Sequence, residues 1–123
     1  MKAYWTEGVT REIVSANQLD ELIHEVRGQK VPTMVFLEHD CGTTLVFGVG
    51  AGESILTYVD GEGRTFHSIG DVNRSGVLKF WCRDQPDDFL AEMAIPEAVA
   101  IDAAHRYREG GTRPENVEWE ADW

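Results

Sequence analysis

Cysteine and positive charge are scarce in this chain, and long hydrophobic runs are missing. Its 123 residues hold 2 cysteines, Cys41 and Cys82, too few for a disulfide framework. A bridge between them would need neighbouring strands, and in a reducing compartment free thiols are expected. No stretch approaches the roughly 18–20 apolar residues of a membrane span. The opening residues Met1-Lys2-Ala3-Tyr4-Trp5-Thr6-Glu7 lack the apolar segment of a secretory signal. The expectation is a cytoplasmic protein with no membrane partner. Lys and Arg total 11 against 22 Asp and Glu, a net charge of −11 with histidine neutral. That balance repels nucleic acid, which is excluded as a partner, and attracts basic surfaces.

Motifs that carry chemistry are also wanting. His39-Asp40-Cys41 sets three potential ligands side by side, but structural zinc sites need four at spacings such as C-x-x-C, and no such pair exists. No metal is expected. Cys41 could combine with His39, His67 or His105 and Asp40 as a thiol–imidazole–carboxylate set. Any chain with 4 histidines offers such combinations, and the plain reading is a free thiol with no catalytic role. Gly48-x-Gly50-x-Gly52 resembles a glycine-rich loop, yet Glu53 and another strand follow it where a phosphate cradle needs a helix. Glycines at a bend between strands are the better reading, and no cofactor is expected.

What is present is periodicity. Ser15 reads as an N-cap with Gln18 in capping-box position, ahead of Leu19, Leu22, Ile23 and Val26 at helical spacing. Gly28 is a natural stop. From Val31 the period becomes extended, with strands expected over 31–38, 43–49, 55–59, 64–69, 77–82 and 89–94. Asp60-Gly61-Glu62-Gly63 is a hairpin signal, and Asp84-Gln85-Pro86-Asp87-Asp88 reads as a polar turn. A short strand around Tyr4 and Trp5 opens the chain, with Thr10 to Val14 continuing or pairing it. Ile95-Pro96 opens a second helix whose stripe is Val99, Ala103 and Tyr107, assisted by Ala98 and Ala104. Val117-Glu118-Trp119 follows as a last strand. The predicted fold is α+β: an antiparallel meander of about six or seven strands with two helices packed on one face. Residues 1–123 form one domain.

The charge is unevenly spread. Residues 84–123 hold 11 acids and 3 bases, so most of the net −11 sits in the last third. Acidity that serves only solubility is the competing explanation. Concentration in one third favours a binding face, with Asp84, Asp87, Asp88, Glu118 and Glu120 as first candidates. Trp119 and Trp123 stand among Glu115, Glu118, Glu120 and Asp122 with no base between them. An indole inside a carboxylate cluster suits a basic partner, and Trp119 joins the candidates. The competing reading packs Trp119 under the last strand, because an indole carries a large apolar payload.

The C-terminal half also resembles a known family. Gly61-x-Gly63 lies between two strands, and the Ile95-Pro96 helix start follows another. The alanine-rich stretch Ala98 to Tyr107 then runs into Gly111-x-Arg113-Pro114 and a terminal strand with Trp119. Together these features resemble the Imm-one immunity proteins of bacterial polymorphic toxin systems, over most of the chain and most strongly over 95–119. They are structural punctuation, so no residue role transfers from the family. The resemblance implies an antidote without catalysis, one immunity-type domain whose partner is a cognate toxin domain. It also implies a toxin that modifies nucleic acid, a deaminase or nuclease with a basic groove that an acidic inhibitor could enter. The alternative is a small regulatory or scaffold module for another basic protein. Oligomeric state stays open.

Overall fold

Changes of apolar period along the chain produce, in order, strands β1 (Lys2–Tyr4) and β2 (Arg11–Glu12), helix α1 (Ala16–Arg27), and strands β3 (Thr33–Glu38) and β4 (Thr44–Val49). Strands β5 (Glu53–Ser54), β6 (Leu56–Val59), β7 (Thr65–Ser68), β8 (Val77–Cys82), β9 (Gln85–Leu90) and β10 (Ile95–Pro96) follow. Helix α2 (Glu97–Gly110) and strand β11 (Trp119–Ala121) complete the order. This is a computed structural model that describes residues 1–122; Trp123, a candidate aromatic, lies outside the described residues.

Local rules fix the first helix. Ser15 Oγ accepts the Gln18 N–H at 3.2 Å, and Gln18 Oε1 accepts the Val14 N–H at 2.7 Å. The first bond satisfies a donor that the helix start leaves bare, and the second ties the residue before the cap to the first turn. Leu19, Leu22, Ile23 and Val26 are all buried, as their spacing predicts.

The second helix departs from expectation in detail. Pro96 is a strand residue, paired with Glu53 in a ribbon of β5 and β10, and serves as N-cap. The helix therefore starts at Glu97 and turns Ala100, Ala103, Ala104 and Tyr107 inward, while Ala98 is exposed and Val99 half-buried. Small side chains on that stripe let α2 lie close against the sheet.

Strands β11-β7-β6-β4-β3-β1-β2 form one antiparallel path, and β8 joins β3 in parallel at the pair Thr33 and Trp81. With β9 on β8 the sheet has nine strands. The expected count is six or seven; β2 adds a two-residue pairing too short to show alternation, and β5 and β10 stand apart as a separate two-stranded ribbon. A second correction concerns residues 84–94. The chain turns through Arg83 and Asp84, both at positive φ (52° and 73°), so Gln85–Leu90 is already strand and Ala91–Met93 is a 3-10 turn. Two left-handed residues make the tight turn that matches the twist of a hairpin, and the expected five-residue polar turn is not needed. Pro86 is tolerated because β9 is an edge.

Both helices pack on one face of the sheet, over Val35, Leu37, Leu45, Phe47, Leu56 and Tyr58. The opposite face carries a smaller core of Met34, Ile55, Phe80 and Ala94 beneath the β8–β9 hairpin. Phe80, fully buried, lies directly over Gly48, where a Cβ would collide with Cε1 and lie 2.9 Å from Cδ1 and Cζ. The glycine in β4 is the seat of the hairpin.

Candidate functional site

The hairpin presents two different faces. Leu78, Phe80 and Cys82 point to the small core, and burial pushes the Cys82 thiol pKa up. Pointing outward are the cross-strand pairs Val77 with Leu90, Lys79 with Asp88, and Trp81 with Pro86. Val77 and Leu90 are 57% and 53% exposed, and Trp81 39%. Lys79 Nζ lies 3.6 Å from Asp88, a loose pair at an exposed site. Asp87 accepts the Asp88 N–H at 2.9 Å, and Pro86 has no N–H to offer. The free edge of β9 is thereby poorly equipped to recruit another strand.

Asp84 is occupied inside the fold. Its carboxylate accepts the Thr6 hydroxyl and, at 2.8 Å, the Glu7 N–H. Those bonds hold its pKa below the ordinary carboxylate value, the Thr6 bond first. Asp84 thus ties the hairpin turn to the loop between β1 and β2.

On β11 the candidates divide. Trp119 pairs with Ser68 and turns to the helix side, half-buried, with Nε1 donating to the Pro114 carbonyl at 2.8 Å. Its ring packs near Tyr58, 6.2 Å between centroids. Glu120 pairs with His67 on the opposite face, and Glu118 is exposed just before the strand. His67 accepts the Thr57 hydroxyl on Nδ1 (3.1 Å) and donates from Nε2 to Asp122 (3.2 Å).

Glu120 and the end of β9 meet in one groove of about 240 Å3. Ile69, Val72, Leu90 and Met93 supply its apolar wall, and Glu92, Glu120 and Asp122 its carboxylates. Asp88 lies two residues from Leu90 on the same face of β9, near the groove, whereas Asp87, opposite the inward Phe80, belongs to the other face of the strand. Asp84, at the far end of the hairpin, and Trp119, on the helix side, are not brought to it. The sequence reading missed Glu92, Val72 and Leu90. The available signal was Val72, an apolar residue alone in the polar segment Gly70-Asp71-Val72-Asn73-Arg74, which is 64% exposed.

The His39–Cys41 cluster is a helix cap. Cys41 N–H donates to His39 Nδ1 at 3.2 Å, and His39 Nε2 donates to the Arg108 carbonyl at 3.3 Å. Both ring nitrogens are thereby engaged with backbone groups, while the thiol lies 3.8 and 3.9 Å from the carbonyls of Gly110 and Gly111. Thr43 and Tyr58 hydroxyls donate to Gly111 as well, at 2.7 and 3.1 Å. These bonds satisfy carbonyls that the end of α2 leaves free. Asp40 turns to the Met1 amino group, 3.8 Å away, and His105 to Asp20. Among the described residues no group of three His, Cys, Asp or Glu could hold a metal ion, and no helix is long and apolar enough to cross a membrane.

The surface, then, offers an exposed acidic and apolar hairpin and no assembled catalytic set among the described residues. The family model described as Immunity protein Imm1 matches residues 7–121, from the β1–β2 loop through β11. The chain belongs to the Imm1 immunity protein family. No curated protein matches the chain. Membership in the Imm1 family implies a toxin protein as partner, and immunity proteins of this kind are generally non-catalytic.

Proposed function

We propose that this Imm1 protein neutralises its cognate toxin, a nucleic-acid-targeting deaminase or nuclease, by placing an acidic surface against the toxin's basic substrate groove. The observation that carries this reading is the concentration of 11 acids against 3 bases in residues 84–123 of an immunity protein. Asp87, Asp88, Glu118 and Glu120 are exposed and, apart from the loose Lys79–Asp88 contact, are in no ion pair among the described residues. They are free to act on a partner. Asp84 shapes the hairpin turn, and Trp119 backs β11 from the helix side. A carboxylate array of this kind speeds encounter with a basic surface and disfavours neutral or acidic partners. The protein works in the cytoplasm, where such a toxin meets its nucleic acid.

The test is co-expression with the cognate toxin domain. The expected result is restored growth and a stable complex on affinity purification, with toxin activity on nucleic acid abolished in vitro. Absence of both complex and protection would contradict the reading.

A further inference from the structure

The groove and the hairpin's outward face form one continuous surface. Val77 and Leu90 stand side by side on the hairpin, and Leu90 and Val72 both line the groove. These three residues are 57%, 53% and 64% exposed, half of the exposed large hydrophobics among the described residues. The rest are Val14, Val31 and Trp81, the last on the same hairpin face. Scattered exposed aliphatics need no explanation, but adjacent ones rimmed by charge mark interaction sites. The rim here has one sign. Glu92, Glu120 and Asp122 border the groove, and the ring that shares it, His67, is already donating to Asp122. Glu92 and Glu120 have no ion-pair partner among the described residues. At about 240 Å3 the groove is smaller than the roughly 300–1,000 Å3 of small-molecule sites and suits one long side chain.

We infer that this surface is where the toxin docks, and that the groove receives an arginine or lysine of the toxin flanked by an apolar side chain. The aliphatic stem of the cation lies along Val72, Leu90 and Met93, and its charged head meets Glu92 and Glu120. The apolar neighbour covers Val77 and Leu90. Charge complementarity selects this occupant: a long basic side chain alone is apolar along its length and cationic at its tip, as the groove requires. An arginine anchor in a desolvated pocket is also the kind of contact that dominates protein interfaces. The inference rests on the toxin-binding reading and adds where the contact is made and what chemistry makes it.

The test uses the full chain and the purified toxin domain. Wild type is compared with Leu90→Ser, Val72→Ser and Glu120→Lys, and with Glu21→Lys on the exposed side of α1 as control. Far-ultraviolet circular dichroism and thermal midpoints check that each variant folds, as their exposure predicts. The expected result is affinity lowered at least tenfold by each groove variant and unchanged by the control. Hydrogen exchange of the wild-type complex provides a second readout, with protection expected over residues 69–77 and 88–93. Wild type that binds while the groove variants bind equally well, or protection confined elsewhere, overturns this inference and leaves the toxin-binding reading intact. Wild type that fails to bind overturns both. A free chain that dimerises, and is made monomeric by Leu90→Ser, would assign the face to a second copy and overturn the inference.

Discussion

Phe80 standing over Gly48 holds the hairpin to the sheet, and a double-mutant cycle at this pair tests that claim. Phe80 is fully buried, and its ring makes an edge contact with Phe89 at 5.9 Å between centroids. Phe80→Ala should lower stability by about 3–5 kcal/mol, the usual range for a deleted core phenyl. A Cβ on Gly48 would collide with the same ring, so Gly48→Ala should lower stability by about 1–3 kcal/mol through overpacking. In the Phe80→Ala background the space above Gly48 is empty. There Gly48→Ala should become neutral or stabilise by up to about 1 kcal/mol, because alanine suits a strand interior better than glycine. The sign change implies a coupling of at least about 1 kcal/mol, well outside additive behaviour. Equilibrium urea unfolding of the four proteins measures it, with a constant slope confirming that only stability has changed. Costs that simply add, within about 0.5 kcal/mol, would refute the seat and with it the rigid presentation of the outward face.

Further outcomes follow from the fold and the site. Leu22 is 3% exposed on the inner stripe of α1, and Leu22→Ala should lower stability by about 2–5 kcal/mol in the same assay; a neutral change would remove the helix-on-sheet packing. Cys41→Ala should leave toxin protection unchanged, since the thiol faces helix-end carbonyls; lost protection, or stoichiometric zinc in the purified protein, would restore a functional role to the cluster. Asp84 titrates below its ordinary value of 3.8, so its tie to Thr6 and Glu7 stabilises the fold above that value and is lost as pH falls through the lowered one. The stability gap between wild type and Asp84→Asn should accordingly hold steady above about pH 5 and narrow below about pH 4; a gap unchanged down to the most acidic folded condition would contradict the tie.

Much of the architecture was legible in the residues because the signals were local. The Ser15–Gln18 cap and the four apolar positions of α1 required nothing beyond neighbours in sequence. Extended runs of apolar, β-branched and aromatic residues after Val31 marked β3, β4, β6, β7 and β8, and Gly111 at φ 71° closes α2. Failures came where distant partners decide. Gln85-Pro86-Asp87-Asp88 reads as a turn by composition, yet pairing with β8 makes it strand, which only an edge position allows for Pro86. Ala100 replaces Ala98 on the buried stripe because Pro96 is held by Glu53, far away in sequence. The site was half legible. Composition located the acid excess, but it could not tell Asp84, tied to Thr6 and Glu7 in a distant loop, from Asp87, which accepts the neighbouring Asp88 N–H, and Asp88, which has a loose contact with Lys79. Nor could it join Leu90 to Glu120, since the groove exists only when β11 has paired with β7.

The salt dependence of association between the purified chain and its toxin domain tests the acidic face most directly. Rates would be measured for wild type and for a variant carrying Asp87→Asn, Asp88→Asn, Glu118→Gln and Glu120→Gln, from low salt to about 0.5 M. An acidic face steering into a basic groove predicts wild-type association that falls at least tenfold over that range, as the Debye length shrinks to a few ångströms, with dissociation changing less. The variant should start slower and respond weakly to salt. Association that is insensitive to salt in both proteins, and equally fast, would contradict the acidic-face mechanism.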